Sequence, residues 1–192
     1  MRMFVALVPP TEVLENLGEF LDPRREADPS LRWTEPFQWH LTLAFLPEVG
    51  PSRLDDLMDR LTRAAARRGS IMVTLAGAGA FPGPDRARVL WIGATGDPPE
   101  ALPRVAAGVR AAANKSGVAV EGGRFRPHLT VARLRRPEDA TRWLRILEAY
   151  DGRSWRADSI ELIESHLGEG PGGHPRYEPI ATHRLAGDAD LP

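Results

Sequence analysis

His40-Leu41-Thr42-Leu43-Ala44-Phe45-Leu46 and His128-Leu129-Thr130-Val131-Ala132-Arg133-Leu134 are one pattern written twice. Each stretch is apolar and β-compatible. A proline introduces each, Pro36 shortly before the first and Pro127 directly before the second, so both read as strands. Side chains two apart leave the same face of a strand, so His40 projects with Thr42 and His128 with Thr130, about 6.5 Å of rise apart. Two imidazoles and two hydroxyls facing a common cleft make an acid/base set for phosphoryl chemistry that needs no metal. Five His and nine Thr in 192 residues would place about 0.2 His-x-Thr by chance. Two occur, and they share Leu, Ala and Leu at their second, fifth and seventh positions. Unrelated histidines on two ordinary strands are the poorer account.

Outward from the repeats, residues 2–8 read as a buried strand, and Thr11 as the cap of a helix that Pro23 stops. Leu31 to Thr34 is a short extended piece before the first repeat. Ser52 caps a second helix, closed by Gly69, and residues 71–75 form a strand. A turn on Phe81-Pro82-Gly83-Pro84 joins it to a strand over 87–94. A third helix spans about 100–116, and a fourth spans 138–150 with Pro137 at its start. Two last strands, 155–167 and 177–185, flank a glycine-rich loop expected to be mobile or rich in turns. Short helices among hairpin-linked strands predict an α+β fold with antiparallel or mixed sheets.

The composition allows a hydrophobic core, with 42% apolar residues, as one large domain or two small lobes. No cysteine is present, which removes disulfides and thiolate chemistry and favours a reducing compartment. No apolar run is long enough for a membrane and no leader is evident, so a cytoplasmic protein is expected. A net charge of −1 supplies no bulk attraction for a polyanion. Contacts to nucleic acid must be local, and the arginines around the second repeat, Arg124, Arg126, Arg133, Arg135 and Arg136, are the candidates. Arg67 and Arg68 read as solvated helix surface. His166, His174 and His183 show no metal-ligand spacing, and neither a metal nor a cofactor is expected. Gly77-Ala78-Gly79 lacks the further glycine and helix start of a phosphate cradle.

The paired motifs resemble the HxTx signature of the two-histidine phosphoesterases, specifically the RNA 2′,3′-cyclic 3′-phosphodiesterase or 2′-5′ RNA ligase branch. Arg2-Met3-Phe4-Val5-Ala6-Leu7, Arg88-Val89-Leu90-Trp91-Ile92-Gly93 and Phe125 to Arg133 extend the likeness to most of the chain. Pro47 stands where many relatives carry glycine after the first motif. The resemblance implies one bilobal domain over 1–192, with two pseudo-symmetric lobes, helices on their outer faces and the active cleft between them. It implies hydrolysis of RNA 2′,3′-cyclic phosphate ends to 2′-phosphates by a monomer, with reverse 2′-5′ ligation as a second direction. His40 would then be the proton donor and His128 the proton acceptor, with Thr42 and Thr130 binding phosphate oxygens.

Five residues after each histidine stand Phe45 and Arg133. The resemblance gives these positions to a base-stacking aromatic and a phosphate-contacting arginine. Alternation sends an odd offset to the other face, and by the residues alone Phe45 is core and Arg133 a surface charge. A bulge, strong twist or strand end would be needed to bring either into the cleft. Two other readings remain open: a non-catalytic nucleotide- or RNA-binding module on this scaffold, and an enzyme for small cyclic nucleotides.

Overall fold

Alternation along the first apolar run divides it between two faces. The fold, a computed structural model that describes residues 1–187, begins with β1 (Met3–Leu7). Met3, Val5 and Leu7 enter the main core, whereas Phe4 and Ala6 join Ile163 in a smaller cluster on the opposite face. Residues 188–192, the end of the expected 1–192 domain, lie outside the described residues.

The chain continues through α1 (Thr11–Ala27), β2 (Arg32–Trp33), β3 (Leu41–Leu46), α2 (Pro51–Ala66), β4 (Ile71–Phe81) and β5 (Ala87–Asp97). It then forms α3 (Ala101–Lys115), β6 (His128–Glu138), α4 (Thr141–Leu147), β7 (Asp151–Ala157), β8 (Ser159–His166) and β9 (Arg176–Arg184). One sheet has the order β3-β1-β8-β9, the other β2-β6-β5-β4-β7, and every ladder between these strands is antiparallel. Helices α2 and α3 pack together against the first sheet, and α1 and α4 against the second. The expected α+β layout is therefore present, and the two repeat strands, β3 and β6, lie in different sheets.

Several local expectations fail for physical reasons. Helix α1 runs through Pro23 to Ala27 instead of stopping. Proline forfeits one backbone donor, and the Arg24 guanidinium steadies the last turn by donating to the Phe20 carbonyl at 2.6 Å and lying 3.7 Å over the Phe20 ring. Thr11 and Ser52 lie inside their helices, which start after Pro10 and Gly50. Pro137 sits in β6 and starts no helix; Glu138 pairs with Ala87, and α4 begins only at Thr141, whose amide donates to Asp139 at 3.0 Å. The expected strand 155–167 is two strands, because the chain passes at Asp158 from β7, paired with β4, to β8, paired with β1.

Strand β4 also outlasts its expected end at Leu75. It bulges between Leu75 and Ala78, with Gly77 at φ +80°, and continues to Phe81. Gly79 lies opposite Trp91, and a Cβ there would stand 1.9 Å from the indole. Gly79 thus makes room for a ring.

Candidate active site

The two repeats are shaped alike by one extra residue each. In β3, Thr42 pairs with Ala6 and Ala44 with Val5, leaving Leu43 unpaired; in β6, Thr130 pairs with Trp91 and Ala132 with Leu90, leaving Val131 unpaired. A bulge of this kind puts two successive side chains on one side. Leu43 with Ala44, and Val131 with Ala132, are accordingly all buried in the main core. Beyond the bulge the parity is reversed, so Phe45 returns to the face of Thr42 and Arg133 to the face of Thr130. Pairing shows the same thing, since Phe45 is opposite Phe4, and Ala6 of the same small cluster is opposite Thr42. Strict alternation, which made Phe45 core and Arg133 a remote surface charge, is corrected by these bulges.

His40 directly precedes β3, following a 3₁₀ turn over Pro36–Gln38, and His128 opens β6. His128 hydrogen-bonds the carbonyl two residues upstream, through Nδ1 to that of Arg126 at 2.7 Å, and the Gln38 carbonyl acts on His40 from the equivalent position. A carbonyl only accepts, so Nδ1 of His128 carries the proton and Nε2 keeps its lone pair. Aromatic rings hold both imidazoles. Phe4 stacks on His40 at 4.5 Å, with the Tyr177 edge at 5.4 Å; Phe81 meets His128 edge-on at 4.9 Å, with Trp91 at 5.8 Å.

These surroundings favour neutral imidazoles. Loss of hydration pulls His40 down to about 4, against the Gln38 carbonyl and with help from the charge of His128. Burial also lowers His128, opposed by the Arg126 carbonyl and assisted by the Arg126 and Arg133 charges. The two motifs therefore sense one another across the cleft. A phosphate anion between them would reverse the balance and restore a proton.

A cavity of about 650 Å³ is lined by His40, Thr42, Phe45 and Arg133, together with Arg2 and Tyr177. An adjoining one, about 150 Å³, contains Thr130 and shares Arg133, Pro175 and Tyr177 with the first. His128 stands beside Thr130 at the start of the same strand. The structure thus brings five of the six expected residues onto the walls of two joined cavities, with His128 flanking them.

Three contributors escaped sequence reading. Arg2, quoted only as part of a strand-like opening, lies 4.3 Å over the Phe45 ring. Tyr177, distant in sequence, reaches His40 because β9 joins β8 beside β1. Thr34 ties the motifs together: its hydroxyl donates to the Thr130 carbonyl at 2.8 Å and accepts the Trp39 indole N–H at 2.8 Å, while its amide donates to Val131 at 2.9 Å. No spacing rule reveals that relay. His174, read as an uninvolved loop residue, also lines the smaller cavity.

Residues 13–169 match the family model described as the 2′-5′ RNA ligase superfamily. The chain belongs to this superfamily. The RNA 2′,3′-cyclic phosphodiesterase of Thermus thermophilus is 30% identical over 98% of this chain and 92% of its own. That of Escherichia coli is 28% identical over 96% of both. In three dimensions, the superfamily member superposes on apo E. coli LigT with a TM-score of 0.75 and 26% identity, covering 96% of this chain and 97% of that one. LigT complexed with 3′-AMP gives a TM-score of 0.70, with 28% identity and 96% coverage of each chain.

Proposed function

We propose that this protein is an RNA 2′,3′-cyclic phosphodiesterase that opens terminal cyclic phosphates without a metal. One observation carries the reading: two imidazoles at the starts of equivalent strands lie close enough for the charge of one to act on the other, and His40, both motif threonines and Arg133 line two joined cavities. The relatives' activity and the 3′-AMP complex of LigT agree with it.

In this reaction the water oxygen forms a bond to phosphorus as His128 takes its proton. The bond from phosphorus to the ribose 3′ oxygen breaks, and that oxygen receives a proton from His40. The products are a 2′-phosphate and a 3′-hydroxyl. Exchange with solvent returns both imidazoles to their starting forms, and ligation would use the opposite assignments. Thr42 and Thr130 donate to the non-bridging oxygens as charge accumulates, and Arg133 neutralises it. Phe45, carrying the Arg2 guanidinium, offers a flat wall for the terminal base. The reading includes a single bilobal domain acting as a cytoplasmic monomer. Among the described residues no helix is long and apolar enough to cross a membrane.

The test is an oligonucleotide ending in a 2′,3′-cyclic phosphate, incubated with excess chelator. Conversion to a 2′-phosphate that disappears in both His40→Ala and His128→Ala is expected. Dependence on added divalent metal, or tight binding without turnover, would overturn the proposal.

A further inference from the structure

Arg32 and Arg133 are directly opposite one another in the β2–β6 ladder, so both side chains leave the same face. Like charges so placed destabilise a sheet unless an anion or a carboxylate separates them. Neither guanidinium has a carboxylate partner among the described residues, nor does Arg135, two residues further along β6. Three uncompensated cations therefore share one surface of the second sheet, in a protein whose net charge is −1.

Their position continues the histidine site. Arg32 and Arg133 line the cavity that holds Thr130, and beyond it lies a third cavity lined by Arg32, Arg135 and His174. Glu35 in that wall is already held by Arg25 at 3.3 Å. The groove thus passes from the imidazoles, past Arg133, to Arg32 and Arg135. Arg32 lines both cavities and so links Arg133 in one to Arg135 in the other, a run of cations that can meet successive phosphates of a single strand. A cyclic mononucleotide has one phosphate and would leave the outer cations without a partner.

We infer that Arg32 and Arg135 form an upstream subsite for the internucleotide phosphate that precedes the cyclic end, and that it makes the enzyme prefer RNA strands to cyclic mononucleotides. This rests on the reading of the histidine site above. Guanidinium forks suit a phosphodiester and are sequence-blind, so the subsite would measure length without selecting bases.

The experiment compares kcat/KM for a tetranucleotide with a cyclic end and for a cyclic mononucleotide, over a range of salt, in the wild type, Arg32→Ser, Arg135→Ser and the double variant. Arg63→Ser on α2, on the other side of the first sheet, controls for overall charge. Wild type should favour the tetranucleotide, and the double variant should lose that preference by about tenfold or more. Its salt dependence should become shallower by about 0.7 in the log–log slope for each arginine removed. Arg32→Ser should melt no lower than wild type, since it relieves a like-charge pair. Equal wild-type efficiency on both substrates, an unchanged ratio and slope in the variants, or the same change in Arg63→Ser would overturn the subsite alone. Absence of turnover on both substrates would remove the histidine reading and the subsite with it.

Discussion

Replacing Thr34 by Val keeps the shape of a buried side chain and deletes only its hydroxyl. Thr34 is 8% exposed and Trp39 is 1% exposed, so water cannot readily replace what is lost. The deletion leaves the Trp39 indole N–H and one lone pair of the Thr130 carbonyl unpaired. Each orphaned group costs about 1–3 kcal/mol, and with the carbonyl retaining access to its strand partners the total is about 2–4 kcal/mol. In a chain of this size that corresponds to a melting midpoint lower by about 4–16 °C. The same atoms set the spacing between the motifs, because Trp39 adjoins His40 and the Thr130 carbonyl belongs to the second repeat. A shift of about 1 Å there can cost up to about 10²-fold in rate, so kcat should fall with little change in KM. Thermal melts and steady-state kinetics on Thr34→Val and Thr34→Ser provide the assay, the serine variant recovering most of both losses. A valine variant that melts within 1 °C of wild type, or a serine variant equally impaired, would refute the relay.

Burial holds His40 near 4 and lowers His128, so kcat/KM, which reports the free enzyme, should peak below pH 6.5 and decline above it as the donor loses its proton. The optimum of kcat should lie higher, because bound phosphate favours imidazolium; coincident optima at pH 7 or above would contradict this. Folding stability should fall as pH drops from 6.5 towards 4, where the unfolded imidazole of His40 takes up a proton that the folded one refuses. Thr42→Val and Thr130→Val should each lower turnover by about 10²-fold to 10³-fold while ground-state binding changes less; near wild-type turnover in both would remove the hydroxyls from the mechanism. Gly79→Ala would drive a methyl group into Trp91, which packs on His128, so denaturant melts should show a loss of about 1–3 kcal/mol and turnover should drop; an unperturbed variant would show that the indole does not support the imidazole.

The site was legible where chemistry and spacing coincide, and less so where neighbours decide. His40, Thr42, His128 and Thr130 follow from a repeat whose members face one way. The α+β class follows from the alternation of short elements. Phe45 and Arg133 could not be placed by counting, because a side chain's direction after a bulge depends on which partner residue is skipped. The need for glycine at Gly79 has no local trace, since its reason is an indole on the neighbouring strand. Proline was overread twice: Pro23 is tolerated because an arginine steadies the turn beyond it, and Pro137 because its strand pairs through Glu138. Tyr177 and Thr34 carry no local signal, and only the pairing of distant strands brings them to the histidines.

The paired bulges act on side-chain direction as an inserted base acts on a reading frame. Upstream of Leu43 and Val131 even offsets face the cleft; downstream, odd ones do. The useful spacing from each histidine is therefore zero, two and five, and its written trace is a doubled apolar step, Leu43-Ala44 and Val131-Ala132. Deleting Leu129 would leave every functional group in the chain, yet would turn the His128 imidazole to the face opposite Thr130. In this protein a change of length within either seven-residue repeat is a change of meaning, whereas the same change in the loop after β8 alters only the length of a connection.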